Sequence, residues 1–162
     1  MNMTNRKKLS LAVAMILLGA AATLLVADRR WTAATSRLAD TLEVSRLDDS
    51  SVFTSATLNQ LLPPVSRYLR HVLADGQRRI VRADAVQAAE FFVNGGWKPL
   101  RATQRFSVAP PGFVWDARIE MAPLLPAYVR DAYVDGEGSM QATMLALYPL
   151  TDQKGRSELD AG

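Results

Sequence analysis

The stretch Phe113-Val114-Trp115-Asp116-Ala117-Arg118-Ile119-Glu120-Met121 decides the fold. Its odd positions are all apolar, and Asp116, Arg118 and Glu120 fill even positions between them. A period of two sends successive side chains to opposite faces of a strand, so the pattern predicts one buried and one solvated face. On a helix the same residues would scatter around the axis. Upstream, Ala109-Pro110-Pro111-Gly112 predicts a four-residue turn, preceded by a strand over about Trp97 to Val108 with Leu100, Ala102, Phe106 and Val108 on its apolar face. Asn94-Gly95 is a strong two-residue hairpin signal, and it joins that strand to an earlier one starting near Val81. Downstream, Pro123 and Pro126 bracket a short loop into a strand over about Ala127 to Val134. Asp135-Gly136 then predicts a hairpin into a fifth strand, about Ser139 to Leu147, with a bulge at Gly138 and an end at Pro149.

Two turn lengths set the register. A two-residue Asn94-Gly95 turn places Ala83 opposite Phe106 and Asp84 opposite Arg105. A four-residue Ala109–Gly112 turn places Phe106 opposite Trp115, Ala102 opposite Ile119, Arg105 opposite Asp116 and Arg101 opposite Glu120. Both give matched faces and opposed charges, and a one-residue slip would invert every face. Pro99 cannot donate to a ladder, so a bulge or an edge is expected there.

Before the sheet the pattern changes. Leu9 to Ala27 carries no charge over 19 residues, which as a helix is about 28 Å, close to the ~30 Å hydrocarbon core of a bilayer. Arg6, Lys7 and Lys8 precede it, and Asp28, Arg29, Arg30 and Trp31 follow as an interfacial collar. An uncleaved single-pass anchor is expected, with the C-terminal domain outside the cytoplasm by the positive-inside rule. The alternative is a signal peptide cleaved near Ala20-Ala21-Ala22, giving a secreted protein. The organisation expected is an anchor over 1–30, a helical stalk and linker over 31–53 ending in Asp48-Asp49-Ser50-Ser51, an α+β domain over 54–150, and a polar tail over 151–162. Within the domain, Thr54 or Ser55 caps a short helix. A second, amphipathic helix begins at Pro63-Pro64 and carries Val65, Tyr68, Leu69, Val72 and Leu73, which need an apolar surface to lie on. The fold class is therefore α+β: an N-terminal transmembrane helix, short helices, then a five-stranded antiparallel meander forming a partial, half-barrel-like sheet.

Charge and composition exclude several functions. The chain has 19 Lys and Arg, of which Arg6, Lys7, Lys8, Arg29 and Arg30 flank the apolar run. Trp31 to Gly162 keeps 14 of them against 15 of the 16 acidic residues, a net charge of −1. No footprint for DNA or RNA remains. With no cysteine and one histidine, a four-ligand structural zinc site is excluded within one chain. The motifs of serine hydrolases, P-loop proteins, dinucleotide binders and zinc proteases are missing from the sequence. Asp116 and Glu120 read as charge partners of neighbouring arginines, so no enzyme, metal or cofactor is expected.

The candidate site is the apolar sheet face: Phe106, Phe113, Trp115, Ile119, Met121, Met140 and Met144. Large aromatics and pliable methionines suit a pocket for a lipid or other apolar ligand, and they suit an ordinary core equally. The amphipathic helix is the expected cover of that face. Asp131 falls on the same face as Met140 and is the one polar residue there to watch. Arg67, Arg70, His71, Arg78, Arg79 and Arg82 form either a patch for lipid headgroups or a solvated surface.

Four segments carry a resemblance: Leu61-Leu62-Pro63-Pro64-Val65-Ser66-Arg67-Tyr68-Leu69-Arg70-His71, Gln104-Arg105-Phe106-Ser107, Pro110 to Arg118, and Arg130 to Gly138. Together the chain from about Leu58 to Leu159 resembles a family of bacterial proteins classed as a domain of unknown function. The resemblance implies no activity and no site residue. It implies longer members, of which this chain looks like an N-terminal half. On that expectation Ser139–Leu147, uncharged and apolar, is an open edge strand through which copies self-associate.

Overall fold

The computed structural model describes residues 3–42 and 52–155. The Asp48–Ser51 linker and most of the polar tail lie outside them.

Helix α1, Met3–Thr41, is continuous over 39 residues, about 58 Å long. It is the one helix among the described residues long and apolar enough to cross a membrane. Leu9, Leu11, Ile16, Leu17 and Leu18 are all exposed along its first half. The second half is different. Ala27, Trp31 and Leu42 are buried, with Ala34, Thr35, Leu38 and Ala39 half-buried between them. These positions recur every three or four residues and make one stripe of the helix. The segment expected to be a free stalk is therefore helix laid against the sheet. Its stripe is built of small and polar residues as well as Leu, which is why the sequence pattern reads thin there.

Between α1 and the sheet, a short 3-10 turn, Ser55–Gln60, precedes α2, Pro63–Val72. Asp75, not Thr54, serves the start of that turn, accepting from the Ser55 backbone N–H and hydroxyl. Phe53 and Leu58 are buried here. α2 packs against the 3-10 turn, and Val65, Tyr68 and Val72 stay exposed. The expected cover of the sheet by α2 does not form.

The sheet has six antiparallel strands in sequential order: β1 Arg82–Val93, β2 Gly96–Val108, β3 Pro111–Ala122, β4 Leu125–Val134, β5 Glu137–Met144 and β6 Tyr148–Lys154. The sixth corrects the five-strand expectation. Leu145 and Ala146 turn in left-handed conformations, and the chain returns to pair with β5 from Met144↔Tyr148 to Ser139↔Lys154. β5 is thus an inner strand, and the premise of an open Ser139–Leu147 edge does not hold. The edge is β6, which carries Pro149, Asp152 and Lys154, the residue types that blunt edge pairing.

The first hairpin has the expected register, with Ala83↔Phe106 and Asp84↔Arg105. The second does not. Its turn closes in two residues, Val108 pairing with Pro111, so Phe106 lies opposite Phe113, Ala102 opposite Ala117 and Arg101 opposite Arg118. The error is two residues, an even number, so every face survives while every pair changes. Arg105 bonds Asp84 at 2.7 Å, and Asp116 is free to meet α1. Pro99 lies just beyond the last β2–β3 pair, at Leu100↔Ile119, so its missing donor is not needed on that side. Gly138 pairs regularly with Tyr133; the irregularities fall at Glu120/Ala122 and Ala142/Thr143 instead.

The odd face of β3 holds the main core. Ala117 is fully buried, with Leu100, Ala102, Ile119 and Ala127 around it, and Trp115, Met121, Val129 and Met144 packed against them. The even face is not left wet. A second cluster there joins Leu42 and Leu38 of α1 to Val114, Ala132 and Val134.

Candidate functional site

The residues with the most specific polar geometry lie on the even face, under α1. A cross-strand row runs Asp116↔Arg130↔Gln141↔Asp152 over β3, β4, β5 and β6. Strand pairing alone aligns these four side chains, because directly opposed residues point to the same side. Helix α1 docks onto this row. Trp31 Nε1–H donates to Asp116 Oδ1 at 2.9 Å, and the Thr35 hydroxyl donates to Asp116 Oδ2 at 2.8 Å. Arg130 Nη1 donates to the Thr35 hydroxyl oxygen at 2.9 Å and to the Trp31 carbonyl at 3.3 Å. Arg130 Nη2 donates to Gln141 Oε1, and Gln141 Nε2 passes the chain on to Asp152 Oδ1 at 3.0 Å.

Arg130 is only 6% exposed. Burial lowers its pKa from the ordinary guanidinium value, opposed by Asp116 and Asp152. Its guanidinium also lies 4.4 Å from the centre of the Trp31 ring, a cation–π arrangement. A second clasp stands beside it. Arg118 pairs with Asp28 at 2.7 Å and lies over the Tyr128 ring, whose hydroxyl donates to Asp28 at 3.1 Å. Burial raises the Tyr128 pKa, with Arg118 acting against it.

A cavity of about 670 Å³ opens beside this row, between α1 and strands β5 and β6. Ala22, Val26, Ala146, Leu147 and Pro149 give it apolar walls, and Arg130, Gln141, Thr143 and Asp152 give it polar ones. The Thr143 hydroxyl is buried and has no hydrogen-bond partner.

The seven residues expected to line a pocket lie together on the opposite face. The Phe106 and Phe113 rings are 6.4 Å apart, Ile119 is buried, and Met121 and Met144 pack on the same cluster. Phe106 and Met140 remain partly exposed. Trp115 packs against the buried cluster and donates through Nε1 to Gln87 Oε1 at 2.8 Å. None of these residues lines the 670 Å³ cavity. Asp131 does share their face, opposite Trp115 and Met140. Burial raises its pKa above the usual carboxylate value, with the Ala132 backbone N–H opposing. Among the described residues no cluster of His, Cys, Asp or Glu is placed to hold a metal ion.

A family model described as "Family of unknown function (DUF6920)" matches residues 59–162. The chain belongs to this family. The DUF6920 region begins in the 3-10 turn and takes in α2 and all six strands, while α1 lies before it. Arg130, Gln141 and Asp152 thus come from the DUF6920 part, and Trp31 and Thr35 from the helix that precedes it. No curated protein and no solved structure matches the chain. Sequence reasoning missed the Asp116–Arg130–Gln141–Asp152 row. Its signal lies in the even positions of β3 and β4, but the row closes at Asp152 only through β6, whose polar sequence does not announce a strand.

Proposed function

We propose that this protein is a non-enzymatic, membrane-anchored module that holds a single amphiphile, a lipid or lipid-like molecule, where the anchor meets the sheet. The supporting observation is the cavity itself. Its volume lies within the range of small-molecule sites, about 300–1,000 Å³. Its walls pass from residues of the uncharged helical run, Ala22 and Val26, to the polar row at Arg130 and Gln141. An amphiphile has the same polarity gradient along its length. Arg130, Gln141 and Asp152 lie on the polar side and are the groups a head group would meet. In this reading α1 is the uncleaved anchor and the sheet domain lies outside the cytoplasm.

The test is native mass spectrometry of the full chain released from detergent. A bound amphiphile of defined mass is expected on the wild type. Thr151→Trp, placed on the cavity wall in β6, is expected to remove at least nine-tenths of it while the circular-dichroism melt is kept. A wild-type protein that carries no adduct after extraction from lipid, or an adduct indifferent to Thr151→Trp, favours a structural or partner-binding module with no ligand.

A further inference from the structure

The two ends of the meander differ in chemistry. At one end lie the turns at Ala109-Pro110 and Asp135-Gly136, the latter followed by Glu137, which pairs with Lys154. At the other end lie Pro123-Leu124 and Leu145–Leu147. Leu124 is 96% exposed, and Leu147 and Tyr148 are exposed as well. Leu124, Leu145 and Ala146 all adopt left-handed backbone conformations, where Gly, Asn or Asp is the usual choice. Local geometry does not ask for apolar side chains at these tips. The third turn at this end, Asn94-Gly95, carries the exposed pair Phe92 and Trp97, rings 5.3 Å apart.

The position of α1 says what covers this end. Leu24 shares a cavity wall with Leu124, Leu125 and Leu145, and Ala22 and Val26 share another with Ala146 and Leu147. These helix residues belong to the uncharged run that ends at Ala27. Leu24 is three residues and Ala22 five residues inside that end, about 4.5 and 7.5 Å along the axis. Interfacial segments bury their apolar side about 5–10 Å into the boundary between headgroups and acyl chains.

We propose that the hairpin tips around Leu124 and Leu147 dip into the bilayer interface alongside α1, so that the sheet stands on the membrane by three points. Glu90 and Lys98 sit further up β1 and β2 from the Asn94-Gly95 turn, and Glu120 lines the same cavity as Leu24 and Leu124. The proposal rests on α1 being an uncleaved anchor, not on the amphiphile.

The chain has no cysteine, so single-cysteine variants can be labelled without background. Leu124→Cys, Leu147→Cys, Asp135→Cys and Ile16→Cys, each carrying an environment-sensitive fluorophore, are reconstituted as full chains in phosphatidylcholine–phosphatidylglycerol vesicles. Nitroxide lipids then quench at headgroup or deep acyl depth. Labels at 124 and 147 are expected to be blue-shifted and quenched most strongly near the headgroups. The label at 135 is expected to be unquenched, and the label at 16 quenched by the deep nitroxide. Quenching at 16 with none at 124 and 147 overturns tip insertion and leaves the anchor standing. No quenching at 16 overturns the anchor and the proposal together.

Discussion

Asp131 is a carboxylate on the face of the main core, between Trp115 and Met140. Burial raises its pKa in the native state, so the native state binds its proton more tightly than the unfolded chain does. Stability then falls as pH rises from the unfolded value, about 3.9, through the raised native value, and stays lower above it. Asp131→Asn lacks this term. The expected outcome is a variant more stable than wild type at neutral pH, with a flatter stability profile on the acidic side. Denaturant unfolding in detergent over a pH series that starts near the unfolded value and runs to neutrality checks it, and equal slopes in the two proteins would refute the assignment. The face of Asp131 was legible in the sequence because Asp135-Gly136 fixes the β4–β5 register. The partner of Asp116 was not. It depended on whether the turn after Val108 spans two residues or four, and two adjacent prolines support either. The spurious Arg105–Asp116 pair came from that choice, and the real partners of Asp116 are Trp31 and Thr35.

At the scale of elements, period-two runs separated by Asn-Gly and Asp-Gly made β1 to β5 readable, and both turns have the left-handed pairs such sequences favour. β6 escaped for physical reasons. The turn before it uses Leu145 and Ala146 at positive φ without a glycine, the pairing shifts at Ala142/Thr143, and the strand is polar enough to resemble a tail. The packed half of α1 escaped because its stripe relies on Ala27, Ala34 and Thr35. The close approach it makes gives a direct test. A Cβ built on Gly112 would lie 2.5 Å from the Tyr133 carbonyl oxygen and 2.7 Å from Leu42 Cδ2. The first of these is backbone in the neighbouring strand and has little room to yield. Gly112→Ala is expected to cost about 1–3 kcal/mol, the usual penalty for overpacking. Gly96→Ala, in the same sheet but with nothing within 4 Å of the added carbon, is the control and should cost under about 1 kcal/mol. Equal effects in urea unfolding would mean that Gly112 is not held close to the Tyr133 carbonyl and the Leu42 side chain.

For the whole molecule, the question is whether the sheet hangs from α1 or is locked to it. A free stalk would let the domain swing. Instead Arg130, the buried cation, ties the Trp31 carbonyl and the Thr35 hydroxyl of α1 to Gln141 of β5. Asp116 holds Trp31 and Thr35 from β3. These contacts fix α1 against the sheet and shape one wall of the cavity, so on the proposed reading orientation at a membrane and ligand binding would depend on the same few side chains. Removing one member of a buried charged network strands the others and typically costs about 3–5 kcal/mol. Arg130→Ala removes the cation paired across the strands with Asp116 and opens space under the Trp31 ring. The strands themselves are held by their own ladders and the Ala117 core, which Arg130 does not touch. The loss should therefore appear first as detachment of α1. Hydrogen exchange of the full chain in micelles separates the two. In Arg130→Ala, amides from about Trp31 to Thr41 should exchange roughly a hundredfold faster, the equivalent of about 3 kcal/mol, while the β2–β4 amides near Ala117 keep their protection. Uniform acceleration across helix and sheet would make Arg130 a stability residue of the whole domain. Unchanged exchange in α1 would mean that the helix is held by its apolar stripe, Leu38 and Leu42 on Val114 and Ala132, and that the polar row is not the lock.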